Sequence, residues 1–411
     1  MEPLGYFCTE ADGFRRPHEL ERYQSAADVV QSLRPQYPVF CQRPFAAERA
    51  GRWFSTHFPG KSFYAVKANP APWLVAALQA GGIEHFDVAS IKEARLAREL
   101  VPMATLGFMH PVKSTEAIAE AYFDLGVRIF ALDSEAELEK IIAGTSGARD
   151  LTLCVRLHVP SGLSKIPLTL KFGIQDGEAA VLMRRSRQVA ARLGVCFHVG
   201  SQTMAPSVFT MALETVQRAI VRSGVIVDVL DVGGGFPSVY PGMAPPPLEF
   251  FVQEIERCFE TTMLVAENCE LWCEPGRALS AEAASLIVRV EHRTGDCLHI
   301  NDGVFGALFD AGPLGWRYPV RQLGATGGAV SQAAYSFYGP TCDDFDVMRG
   351  PFMLPENIRP GDYIEVGMLG AYSATMRTDF NGFGTHQNVE VADMPMFTQF
   401  GLAQAVAASS R

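Results

Sequence analysis

From Ser62 to Glu274 the chain alternates short apolar runs with stretches of helical periodicity, a rhythm that few architectures accept. The apolar runs are Ser62–Ala68, His85–Ala89, Thr105–Met109, Arg128–Leu132, Leu151–Leu157, Val195–Val199, Val227–Val232 and Leu271–Glu274. Between them, Ile91–Leu100, Thr115–Leu125, Ser134–Ile142, Gly177–Leu193, Ser207–Ser223 and Pro247–Leu264 repeat apolar residues at helical spacing. Strands that alternate with helices form parallel sheets, and eight of them over about 210 residues predict a closed (β/α)8 barrel. Barrel enzymes carry their chemistry at the C-terminal ends of the strands. Those ends are Lys67, Asp87, His110, Asp133, Arg156, His198, Gly233 and Glu274, and seven of the eight are polar or charged.

Outside that span the pattern changes. Residues 1–37 hold no clear motif, with one helix expected in Arg16–Leu33; Pro38–Cys41 reads as a strand and Pro44–Phe54 as a helix. From about Ser280 the helical period fades, and short strands recur between Gly and Pro: Ala284–Val290, Cys297–Asn301, Ala334–Tyr338 and Asp362–Val366. The expected α/β organisation is an N-terminal segment (1–37), a barrel (38–279) and a β-rich domain (280–411). Gly324–Gly328 is expected to be a flexible loop, and Gln404–Arg411 a poorly ordered tail.

Composition then removes whole classes of function. A net charge of −10 argues against nucleic acid or an anionic membrane as the partner. The start of the chain lacks the basic and apolar regions of a secretory signal, and no uncharged apolar run reaches the roughly 18 residues a spanning helix needs. The nine cysteines are scattered. Cys269 and Cys273 have neither metal-site spacing nor a histidine partner and read as buried core residues, so no metal is expected and reduced thiols in a cytoplasm fit best.

Five motifs carry candidate chemistry. Phe63-Tyr64-Ala65-Val66 runs straight into Lys67, and Asn69-Pro70 then turns the chain. An amine there is partly desolvated, which disfavours the ammonium form and suits Schiff-base formation; a surface lysine closing a strand is the structural alternative. Asp231-Val232-Gly233-Gly234-Gly235-Phe236-Pro237 brings three glycines to the seventh strand end, either as a tight turn or as backbone able to approach a phosphate. Glu274-Pro275-Gly276-Arg277 is a structural ion pair, or else divides between a protonated ring nitrogen (Glu274) and a phosphate (Arg277). His198-Val199-Gly200-Ser201-Gln202 holds a core histidine or a flat ring that stacks on a cofactor, with Ser201 able to donate to phosphate. Tyr338-Gly339-Pro340-Thr341-Cys342-Asp343-Asp344 sets a cysteine beside two acids, which favours a protonated thiol and a proton donor over a nucleophile.

Taken in order, FYAVKAN, HVGSQ, DVGGGFP, EPGR, GPTCDD and the late Gly370-Ala371-Tyr372 and Phe380-Asn381-Gly382-Phe383 resemble the fold-type III pyridoxal-phosphate decarboxylases. The nearest group is the eukaryotic-type ornithine decarboxylases, with the bacterial ornithine/lysine enzymes; the resemblance spans about Pro38 to Phe383. It implies an alanine racemase-like barrel that binds pyridoxal 5′-phosphate, a β domain built from both chain ends, and a homodimer with active sites shared between subunits. It implies further that Lys67 bonds the cofactor, His198 stacks on its ring, and Glu274 holds the ring nitrogen protonated. Ser201, Gly235, Arg277 and Tyr372 are implied at the phosphate, with Gly234 and Gly276 in the same cradle and Asp87 and Arg156 around the Schiff base. Cys342 of the partner subunit would return a proton to the product, Asp343 would bind the distal amine of a diamino acid, and Phe383 would line the substrate. The implied reaction converts L-ornithine to putrescine and CO2, a step of polyamine biosynthesis. Lysine/ornithine or diaminopimelate decarboxylation, or a non-catalytic regulatory relative, are the alternatives. Two departures bear on substrate choice: Phe305 stands where the family has tyrosine, and the segment Ala307–Val320 resembles the bacterial ornithine/lysine enzymes more than the eukaryotic ones, with Asp310 as a second candidate amine ligand.

Overall fold

A computed structural model describes residues 20–168, 170–261, 265–324 and 330–400. The expected tail, residues 325–328 of the expected loop, and residues 16–19 of the first expected helix lie outside them. The remainder of that helix begins only at Ala26 and runs to Leu33, capped by Ser25 Oγ, which accepts the Asp28 N–H.

Eight parallel strands close a barrel: Lys61–Ala65, His85–Val88, Thr105–Phe108, Ile129–Leu132, Thr152–Arg156, Arg192–Cys196, Val227–Asp231 and Val265–Cys273. Three of the turns that follow strands end in a serine, Ser90, Ser114 and Ser134, whose side chain accepts the N–H three residues on and starts the next helix. Each such cap contributes about 1 kcal/mol. Two strands differ from expectation in a way that matters. The first stops at Ala65, and a 3₁₀ turn, Val66–Ala68, carries Lys67 out of it. The sixth lies three residues earlier than expected, because Arg192 and Gly194 disguise its start and Gly200, at φ 97°, forces the chain to turn.

Strand side chains alternate between the helical layer and the barrel axis. Phe63, Met109, Ala131, Cys154, Cys196 and Trp272 belong to one buried cluster that fills the barrel's interior. Two residues further along three of these strands come Arg156, His198 and Glu274, and four beyond Phe63 comes Lys67. The same parity that builds the apolar floor therefore aims the polar residues into the mouth above it.

The second domain is a sheet of nine strands among the described residues. Its long strand, Ala284–Thr294, pairs antiparallel with Val39–Gln42, Tyr363–Val366 and Cys297–Ile300. Gln387–Val391 lies parallel to Val39–Gln42 on one side and to Arg22–Tyr23 on the other. Cys297–Ile300 continues the sheet into Gln332–Tyr338 and Val347–Pro355, while Val320–Leu323 borders Tyr363–Val366. The strand at Val39, which the expected boundary at residue 38 places with the barrel domain, is thus a sheet strand. It is buried along its whole length and leads into the helix Pro44–His57, which packs on the barrel, so the pair reads like one more strand–helix unit. At this crossing Arg43, only 1% exposed, pairs with Glu365 at 2.9 Å and Asp393 at 2.7 Å and donates to Ser285 Oγ. Removing one partner of such a buried cluster costs roughly 3–5 kcal/mol, so it clamps both ends of the sheet beside the barrel.

Candidate active site

The 3₁₀ turn that carries Lys67 is pinned by the second domain. Tyr372 N–H donates to Ala68 O at 2.8 Å, and Asn69 Nδ2 donates to Gly370 O at 2.9 Å. Lys67 Nζ lies 3.3 Å from Asp87 Oδ2; the aspartate is buried, while the lysine side chain is 40% exposed in the open mouth. Burial pushes the Lys67 pKa down, but attraction from the adjacent Asp87 outweighs it and holds the amine above the ordinary lysine range. The shift runs opposite to the lowering expected for a desolvated strand end, because the Asp87 carboxylate lies beside the amine.

His198 Nδ1 accepts the Gly200 N–H at 3.0 Å, which leaves the ring hydrogen on Nε2. Burial, with the charges of Lys67 and Arg156, pushes its pKa well below the usual range, so the ring is neutral. Across the mouth, burial and the neighbouring Asp231 and Asp87 push Glu274 well above the usual carboxylate range. Asp231 is also raised, to about 6, by burial, and its Oδ1 accepts the Gly233 N–H at 2.9 Å. The other oxygen is buried and has no hydrogen-bond partner among the described residues, while the nearby Glu274 partly offsets the effect of burial on Asp231. Asp231 was not singled out from the sequence, although it shares the inward parity and sits two residues before the glycine turn.

The glycine turn and the His198 loop close on each other. Gly235 sits at φ 101°, and a Cβ there would lie 2.5 Å from Gly200 O; at Gly234 one would meet Glu274 O at 2.8 Å and His198 Nε2 at 3.0 Å. Ser201 begins a short ribbon, Ser201–Thr203 against Ser164–Ile166, beside this turn. Arg277 opens a four-residue helix, Arg277–Ser280, with its guanidinium carbon 4.3 Å from the Trp316 ring centre and 4.9 Å from that of Tyr372. Its Nη1 donates to Tyr240 Oη at 3.2 Å, and Nη2 lies 3.2 Å from Asp310 Oδ2 as an ion pair without the alignment of a hydrogen bond. The buried Nε has no partner among the described residues. An orphaned, buried guanidinium N–H fits a phosphate, as do the glycines of the neighbouring strand end, which leave backbone uncovered by side chains. A flat neutral imidazole, a protonated carboxyl and a lysine in one mouth fit an aromatic aldehyde cofactor.

Residues 46–281 match the model of the pyridoxal-dependent decarboxylase family's pyridoxal binding domain. The chain belongs to the pyridoxal-dependent decarboxylases. Pyridoxal 5′-phosphate is the cofactor of this decarboxylase, and its fold is the barrel-plus-sheet architecture of that family. Lysine/ornithine decarboxylase of Selenomonas ruminantium is 32% identical over 349 residues, 82% of this chain and 84% of the relative. Ornithine decarboxylase of Schizosaccharomyces pombe is 29% identical, covering 82% of this chain and 79% of that one. The solved lysine/ornithine decarboxylase of Vibrio vulnificus, complexed with cadaverine, superposes with a TM-score of 0.75 at 28% identity, covering 90% of this chain and all of that one.

The GPTCDD loop of the decarboxylase lies in the sheet domain, and its fixed point is a residue the sequence left without a role. Buried Asp346 accepts Val304 N–H at 2.7 Å, Thr341 N–H at 3.1 Å and Thr341 Oγ1–H at 2.7 Å. A Cβ on Gly303 or Gly339 would come within 2.1 Å of its carboxylate, so both glycines are needed for the close approach. On this base Cys342 and Asp343 stand exposed, and the hydrogen bonds of Cys342 run to Asn381 rather than to the barrel mouth. Phe383 is 45% exposed in the neighbouring turn. Phe305, the departure from the family tyrosine, packs its ring 4.7 Å from that of Phe380. Asp310 sits with its carboxylate on Arg277, at the phosphate end of the mouth.

Proposed function

We propose that this decarboxylase acts on L-ornithine, releasing CO2 and putrescine, as a homodimer in a reducing, cytoplasmic compartment. The observation that carries it is a division of groups: Lys67, Asp87, His198, Glu274 and Arg277 gather at the barrel mouth, while Cys342 and Asp343 point outward from the sheet domain. Around them Phe345, Phe380 and Phe383 are 56%, 41% and 45% exposed, an apolar patch suited to cover by a second copy. That copy's mouth would receive the thiol and the carboxylate. Cysteines left free in the described part of the chain fit reducing conditions.

Each residue then has a physical task. Lys67 would bond the cofactor, with Asp87 holding the lysine nitrogen in place; Arg277 and the glycine turn would hold the phosphate, His198 would present a neutral face to the ring, and Glu274 would hydrogen-bond the ring nitrogen. Pyridoxal phosphate, when bound, supplies the electron sink for the pair left behind by CO2. Cys342 returns a proton to that carbon, and Asp343 pairs with the distal ammonium. Lysine is the second reading, supported by relatives named lysine/ornithine decarboxylases. One methylene discriminates by only about 1–3 kcal/mol, so overlap between the two is expected. Products formed from L-ornithine, L-lysine, D-ornithine and meso-diaminopimelate, measured side by side, test the proposal. Putrescine as the fastest product supports it, and cadaverine as the faster product would reassign the substrate.

Asp343→Ala should raise KM for ornithine about 10- to 150-fold, the scale of one charge-assisted hydrogen bond to an ammonium. Cofactor uptake should be unchanged, since Asp343 would meet only the substrate in the partner's mouth. Unaltered KM would move the amine site elsewhere.

A further inference from the structure

Asp346 fixes the base of the Cys342 loop, but the direction of the thiol is set by another residue. Both hydrogen bonds of Cys342 end on one atom: Asn381 Oδ1 accepts the backbone N–H at 3.2 Å and the Sγ–H at 3.4 Å. The backbone donor decides which amide atom faces the cysteine, because only the oxygen can accept. Asn381 itself sits at φ 53°, ψ 13°, inside the turn Phe380–Gly382. Most side chains avoid this left-handed region, and strain held in place by its surroundings is often linked to function. Here the surroundings do hold it: Asp379 Oδ1 accepts the Gly384 N–H at 3.1 Å, and Thr378 donates its N–H and Oγ1–H to Phe305 O at 2.9 and 3.0 Å.

We infer that Asn381 is a positioning residue that aims the Cys342 sulfhydryl for proton return. The inference rests on the function proposed above, in which Cys342 serves the partner's site. In the step it controls, the S–H bond breaks and a C–H bond forms at the carbon that lost CO2. The electron pair on that carbon takes the proton, and solvent restores the proton to sulfur. A thiol swung off this line leaves the pair to take its proton on the cofactor instead; with water, the product would then leave as an amino-aldehyde, its α-nitrogen kept by the cofactor, although CO2 has already gone. Asn381 therefore governs yield of diamine per CO2 more than the release of CO2 itself.

Asn381→Gly is the informative variant, since glycine accepts the positive φ without strain and removes only the amide. Diamine formed per CO2 released should fall about fivefold, the scale of one lost weak hydrogen bond. Asn381→Asp, which keeps an acceptor oxygen and tolerates the same backbone, should restore the ratio. A second readout needs neither substrate nor cofactor. Iodoacetamide labelling of Cys342, followed on its own peptide by mass spectrometry, should be about fivefold faster in Asn381→Gly and return to the parent rate in Asn381→Asp. An unchanged ratio and labelling rate in Asn381→Gly would overturn the inference, as would equal impairment of both variants, which marks a merely structural turn. If the parent protein releases no CO2 from any diamino acid, the proposed function fails, and the labelling series still decides what Asn381 does to Cys342.

Discussion

Lys67→Ala is expected to abolish the covalent cofactor bond that borohydride traps, and to lower turnover by roughly 10³-fold or more, the scale of losing a covalent catalytic group. The absorption band above about 400 nm, typical of a lysine-bound pyridoxal, should vanish with it. Cofactor should still bind, because Arg277 and the glycine turn are untouched; equilibrium dialysis against pyridoxal phosphate measures that separately. The obvious competitor is Lys113, whose pKa burial pushes down to about 8 and which on acidity alone is the better nucleophile. Geometry excludes it. Its Nζ donates to His110 O at 2.8 Å and Ala131 O at 2.6 Å and pairs with Glu137 at 2.9 Å, so all three hydrogens are engaged inside the wall. A trapped adduct persisting on another lysine in Lys67→Ala would overturn the assignment.

Mixing two inactive variants should give back activity. Lys67→Ala lacks the barrel half of the site and Cys342→Ala the sheet half. After random exchange about half the dimers are mixed, and in a twofold dimer each mixed dimer rebuilds one intact site of two. About a quarter of the parent rate of diamine formation should therefore return, from a baseline near zero. Sites built within one subunit would recover nothing, provided that size-exclusion and exchange controls show the chains to be mixed.

Most of the barrel was legible because its strands are covered on both faces and so read as unbroken apolar runs. The sheet strands Val320–Leu323 and Gln387–Val391 escaped notice since they are half exposed and carry Arg321, Gln322 or Asn388 among few apolar residues. Val347–Pro355 is interrupted by Gly350-Pro351, a pair that signals a loop. At the site, strand ends announced Lys67, Asp87, His198 and Glu274 through one polar residue at the close of each run. Asp231, Asp346 and Asn381 lay within or beside recognised motifs, yet their tasks arise only from contacts between loops distant in sequence, which no local pattern encodes.

The pairing of Val39–Gln42 with Gln387–Val391 has a consequence for how the chain comes to be folded. Gln42 Nε2 donates to Asn388 Oδ1 across 346 positions of sequence. At a synthesis rate of roughly 5–20 residues per second, the earlier strand waits tens of seconds for its neighbour. Barrel contacts are nearer in sequence and form meanwhile, so the sheet closes last, onto a finished barrel. Until then the unpaired edge of an apolar strand is open to other chains. Slow growth of the nascent chain, or its overproduction, should therefore aggregate this protein through the sheet domain while leaving the barrel intact.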